Sequence, residues 1–277
     1  MSHDASAIDH EAALRGLTVG LQGATDLLDV RRRAWIVGVG RLSDMRGGVA
    51  VPDVATVEGI LRWTRSTSLF PSGAMRFVED DAIEFLATDV SAMTYRHRDP
   101  RGQDFLEVLA GFGTDGFVAT GMTRSGNLGA ERGKPSHVLV TDFEATCADL
   151  LVLARAAAET YDYRGPMDLL VGIVTDVPGE ELRLRTFDPA TGDLSEEDTA
   201  PQVFEPVHTR VFSHGSDEER YEALFAMAVA GARQFGRSRP QFMLAPESVD
   251  YDDVRRHTQD EGPVVLTDPL GEDGRGA

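Results

Sequence analysis

The chain has 277 residues and carries 27 Lys+Arg against 46 Asp+Glu, a formal net charge of −19. That length holds one sizeable core or at most two ordinary domains, and a 42% hydrophobic content describes a folded protein rather than an acidic tail. The acidity excludes a general binder of bare nucleic acid, which needs a broad positive surface to displace counterions.

The charge is divided unevenly. Residues 1–135 hold 18 acids and 15 bases, whereas residues 136–277 hold 28 acids and 12 bases. This asymmetry suggests two units. Lys134 is the single lysine, so arginine supplies nearly all the positive charge. Met1–Asp9 is polar, which gives no sign of an export signal. No apolar run approaches the roughly 18 residues that span a bilayer. One cysteine, Cys147, leaves no internal disulfide and no cysteine-rich zinc site. A cytoplasmic protein without membrane contact is expected.

In chain order, apolar residues at helical spacing predict a helix over residues 8–30, ending at Arg31–Arg33 where positive charge suits a helix C-terminus. Residues 34–39 read as a buried strand, followed by a glycine-rich loop to about Val51 and a second helix from Pro52-Asp53. Residues 81–95 are ambiguous and include a candidate helix. Gln103–Phe112 reads as a short helix and Phe117–Met122 as a strand. Residues 123–136, rich in glycine and closed by Pro135, form the expected linker. Beyond it come a strand at His137–Phe143, a largely apolar helix at Ala145–Tyr161, and strands at Met167–Thr175, Leu182–Phe187 and Phe204–His214. Ser216-Asp217-Glu218-Glu219 has the form of a capping box and opens a helix through Arg233. Short strands at Phe242–Ala245 and Val264–Thr267 precede a charged tail.

These elements predict an α+β protein of two α+β units, the second built as helix, three largely antiparallel strands, helix. The expected division is an N-terminal near-neutral unit at 1–122, the linker at 123–136, an acidic domain at 137–270 and a tail at 271–277.

Catalytic motifs fail one by one. The stretch before Lys134 is one residue short of a phosphate-binding P-loop, and Pro135 stands where the magnesium-holding hydroxyl belongs. Gly38-Val39-Gly40 follows a strand but lacks the third glycine of a dinucleotide fingerprint. That segment is either an anion-contacting loop with Arg41 and Arg46 as donors or a turn-rich connection. Ser125 lacks the first glycine of a nucleophile elbow. Cys147 sits among apolar neighbours and reads as a packed, unreactive thiol. Asp250-x-Asp252-Asp253 lacks the glycine and distal glutamate of a calcium loop, so no metal and no cofactor is expected.

One constellation stands out. On a strand at Phe204–His214, a period of two puts His208, Arg210, Phe212 and His214 on one face. That face either binds an anion or is simply wetted by solvent.

The runs Ala156-Ala157-Ala158-Glu159-Thr160-Tyr161, Gly165-Pro166-Met167-Asp168 and Phe204-Glu205-Pro206-Val207-His208-Thr209 resemble the C-terminal segment of actinobacterial proteins that carry an AlbA-type, Schlafen-like DNA-binding domain. The resemblance covers residues 154–235 and contains no catalytic motif. It implies a bacterial, cytosolic accessory domain.

Together these features lead to an interaction or regulatory protein with a protein partner. A second reading is a ligand-binding or hydrolytic enzyme, with a small molecule held between the Gly38–Gly48 loop and the His208/Arg210/His214 face. A third is an acidic protein that occupies a basic nucleic-acid-binding partner.

Overall fold

Trp35–Leu42 forms β1, and its two neighbours in the sheet, residues 117–123 and 166–174, come from before and after the expected linker. The computed structural model describes residues 34–43, 45, 84–85, 90–98, 104–113, 116–123, 136–174, 182–187, 194–196 and 204–252. Within these, β1 is followed by β2 (Glu84–Phe85), β3 (Val90–Arg98), β4 (Asp104–Gly113) and β5 (Phe117–Thr123). Then come β6 (His137–Leu139), helix α1 (Val140–Thr160), β7 (Pro166–Val174), β8 (Arg183–Phe187), β9 (Leu194–Glu196), β10 (Val207–Phe212) and helix α2 (Asp217–Gln234). The protein is α+β.

Seven strands form one antiparallel sheet in the order β10-β7-β1-β5-β4-β3-β2. β1 pairs with β5 on one side and with β7 on the other. The boundary expected at 123–136 therefore falls inside a single sheet, whose strands lie on both sides of it in sequence. β8 does not join β7 and β10. It pairs in parallel with β6 and antiparallel with β9 in a separate three-stranded sheet, which corrects the expected three-strand arrangement of the second half.

Two further elements differ from expectation. Gln103–Phe112 and the 81–95 region are not helical where described; β4 and β3 pair as antiparallel strands. Leu, Glu and Ala in β4 are good helix formers, but pairing on both sides with β3 and β5 decides the conformation. α1 begins at Val140, five residues before the expected start, so the strand expected at His137–Phe143 ends at Leu139, and no side chain caps the first turn of the helix. The capping box is formed: Glu219 N–H donates to Ser216 Oγ at 3.2 Å and Ser216 N–H to Glu219 Oε2 at 3.0 Å. The expected helices at 8–30 and from Pro52, and the strand at Val264–Thr267, lie outside the described residues. At Phe242–Ala245 the backbone makes only an isolated bridge at Met243.

α1 is buried on nearly every side, as its apolar composition requires. It packs on β1, β5 and β7, and it also meets β8 and α2. Ile36, Leu42, Val118, Met122, Met167, Leu169 and Val171 face it in the core. Gly38 and Gly40 belong to this interface rather than to a loop. A Cβ on Gly38 would stand 3.1 Å from Leu150 Cδ2, and one on Gly40 2.6 Å from Val118 Cγ2 and 3.3 Å from Ala154 Cβ. These glycines admit the helix to the sheet, and residues 44 and 46–48 of the expected Gly38–Gly48 loop lie outside the described residues. No helix among the described residues is long and apolar enough to cross a membrane.

Candidate functional site

Because directly paired residues of antiparallel strands share a face, three polar residues fall into one row across the sheet. Arg41 on β1 is opposite Asp168 on β7, and Asp168 is opposite Arg210 on β10. With strands about 4.8 Å apart, two guanidinium-bearing positions flank one carboxylate-bearing position. The row lies on the face away from α1. At the far end of β1 the same face is buried, with Trp35, Val37 and Val39 nearly inaccessible. At the Arg41 end it opens to solvent: Arg41, His208 and Arg210 are exposed, while Asp168 beneath them is only 3% exposed.

Asp168 gathers its neighbours. Arg210 donates from Nε to Oδ1 at 2.7 Å and from Nη2 to Oδ2 at 2.9 Å, a two-pronged pair that fixes the guanidinium plane. Ser43 Oγ, just past the end of β1, donates to Oδ2. Ser43 is itself positioned by its N–H, which donates to Pro166 O at 3.1 Å. His208 Nε2 stands 3.3 Å from Oδ1. Burial pushes the Asp168 carboxyl up. The Arg210 hydrogen bonds, the Ser43 hydrogen bond, the Arg210 charge and the His208 contact outweigh burial and hold it below the ordinary carboxylate range. Asp168 is therefore an anion at neutral pH, with both oxygens engaged.

The sequence-predicted residues separate into three groups. His208 and Arg210 come together as expected, and Arg41 joins them from β1. His214 does not. β10 ends at Phe212, and the His214 ring packs edge-on against Phe212, with centroids 5.8 Å apart and planes at 61°. Arg46 lies outside the described residues, as do Ser125 and Lys134. Asp168 and Ser43 are the members that sequence reasoning missed. The available signal was a lone acid in the otherwise apolar strand Pro166–Val174, a place where a carboxylate is kept only when paired.

Elsewhere, Asp250 is engaged locally, accepting the Asp252 N–H at 3.1 Å. Among the described residues no group of three His, Cys, Asp or Glu side chains is arranged to hold a metal. Cys147 is fully buried, and burial together with the negative charge of nearby Glu144 raises its thiol well above the usual range. Comparison of the chain with protein-family models, curated proteins and solved structures finds no match.

Proposed function

We propose that this chain is an interaction or regulatory protein that recognises an anionic group, of phosphate or carboxylate type, at the open end of the Arg41–Asp168–Arg210 row. The observation that carries this reading is the presentation of two arginines and a histidine around one buried, ionised carboxylate, on three adjacent strands of a rigid sheet. With Arg41, Arg210 and Asp168 charged, the row has a net charge of +1 in a chain whose total is −19. Asp168 aligns Arg210, and Arg41 stands on the other side as an exposed cation.

The same geometry supports binding over hydrolysis. Among the described residues Ser43 spends its proton on Asp168 and not on His208, which is not the serine–histidine arrangement of an activated nucleophile. Asp168, held below the ordinary range and surrounded by donors, is a weak proton acceptor. A cytoplasmic setting fits a single cysteine that is buried and free.

Exposed charge pairs contribute about 0–1 kcal/mol each, so weak binding, with a Kd on the order of 10 mM, is expected for inorganic phosphate at low salt. Titration with inorganic phosphate, followed by amide chemical shifts, tests this. Shifts confined to β1, β7 and β10 that weaken with added salt and are lost in Arg41→Gln and Arg210→Gln are expected. Binding unchanged in both variants, or no binding by the intact protein, would overturn the reading.

A further inference from the structure

Phe212 is 52% exposed, the exposed large hydrophobic side chain among the described residues. It lies on β10 opposite Pro166, one same-face step from the Arg210–Asp168 pair. Two residues of strand put it about 7 Å from Arg210. Its edge-on partner His214 adds a second ring at the same corner.

The turn that carries the two rings is held from several directions. Ser213 N–H donates to Gly165 O at 3.1 Å and Gly215 N–H to Phe212 O at 3.1 Å. Ser213 Oγ donates to Tyr163 O at 3.0 Å, and Arg220 Nη1 to Ser213 O at 3.3 Å. The backbone that carries the aromatic corner is thus tied to its neighbours, so a ligand that meets both groups has little ordering of the backbone to offset.

We propose that the ligand is of the nucleotide class: a phosphate at Arg210 and Arg41, and a base, one sugar away, stacked at Phe212 and His214. This deepens the anion reading above and rests on it. A bare anion satisfies only the cations and leaves the rings wet, whereas any base has a π-face that an aromatic side chain accepts without sequence-like selection.

Adenosine monophosphate and ribose 5-phosphate share the sugar and the phosphate and differ in the base, so the pair isolates the aromatic corner. Titrated side by side into the full chain, adenosine monophosphate is expected to bind about fivefold more tightly or better. In Phe212→Ala that advantage disappears while ribose 5-phosphate binds as before; the side chain is exposed, so its truncation leaves the core intact. Equal binding of the two compounds, or an advantage that survives Phe212→Ala, overturns the nucleotide inference and leaves the anion reading standing. Failure of both compounds to bind overturns the two together.

Discussion

Asp168 and Arg210 are joined across β7 and β10 by two hydrogen bonds, at 2.7 and 2.9 Å, that use both carboxylate oxygens. The acid is nearly inaccessible, whereas the Arg210 side chain is 38% exposed. The pair therefore ties the sheet's terminal strand, in the described order, to the strand beside it while keeping a cation at the surface.

Replacing Asp168 by Asn keeps the shape and removes the charge. Hydrogen bonds to charged groups are worth about 1.5–3 kcal/mol, and the exposure of Arg210 brings the expected loss to about 1–2 kcal/mol in chemical denaturation at neutral pH. The sign of the pH dependence follows from the lowered carboxyl. Its contribution is present above the unfolded-state value near 3.8 and is lost as pH falls through the lower folded-state value. The gap between the native protein and Asp168→Asn should accordingly close below about pH 4. A gap that stays constant through that range would mean that the charge of Asp168 is not what holds β10.

Glycine at 231 marks where α2 crosses α1. A Cβ there would run into the Phe143 ring. Alanine gains about 1 kcal/mol of helix propensity, but overpacking a core contact costs typically 1–3 kcal/mol and here meets a buried aromatic ring. Gly231→Ala is expected to lose about 1–2 kcal/mol net. Gly172→Ala is the control, since its Cβ would sit 3.4 Å from Pro206 Cγ, an ordinary contact, and the change should stay within about 0.5 kcal/mol. Equal effects at the two positions would contradict the packing described.

Ser216→Ala removes one half of the reciprocal cap on α2 and leaves the Glu219 N–H without its acceptor. The expected loss is about 1 kcal/mol by thermal or chemical unfolding, with the first turn, Asp217 to Arg220, exchanging its amides faster. Loss of protection spread along the whole helix, rather than concentrated in that turn, would argue that the box is not its anchor.

This cap was legible in the sequence because its chemistry is local: four consecutive residues contain the whole device. β7, β8 and β10 were legible for a similar reason, as period and turn residues mark them within a few positions. β4 was not, because its Leu, Glu and Ala favour a helix in isolation and only the strands on either side override them. The site was half legible. The two-residue period put His208 and Arg210 on one face, but their organising partner Asp168 is 40 and 42 residues away and Ser43 is 125 residues from Asp168. Gly38 and Gly40 misled for the same reason: a glycine that admits a helix Cβ by Cβ reads in sequence like one that makes a turn.

Glu144 on α1 has no exposed surface, yet it holds the chain that follows α2. Its carboxylate accepts the N–H of Gln241 at 2.5 Å and those of Phe242 and Met243 at 2.9 and 3.1 Å. Burial raises its carboxyl above the ordinary 4.5; the three N–H donors and the positive charge of Arg237 oppose that rise without cancelling it. A raised folded-state value means that the native protein binds the proton more tightly than the unfolded chain. Stability from this group is then full below about pH 4.5 and declines as pH rises through the raised value. Glu144→Gln removes that decline, so the stability of the native protein relative to this variant should fall as pH rises above about 4.5. Glu144→Ala removes the acceptor of the buried Met243 N–H, at about 1 kcal/mol or more, and of the part-buried N–H groups of Gln241 and Phe242, at less, and amide exchange at Gln241–Met243 should accelerate well before global unfolding. A pH-independent difference for the Gln variant, or unchanged protection of those amides in the Ala variant, would show that the carboxylate does not hold this segment in place.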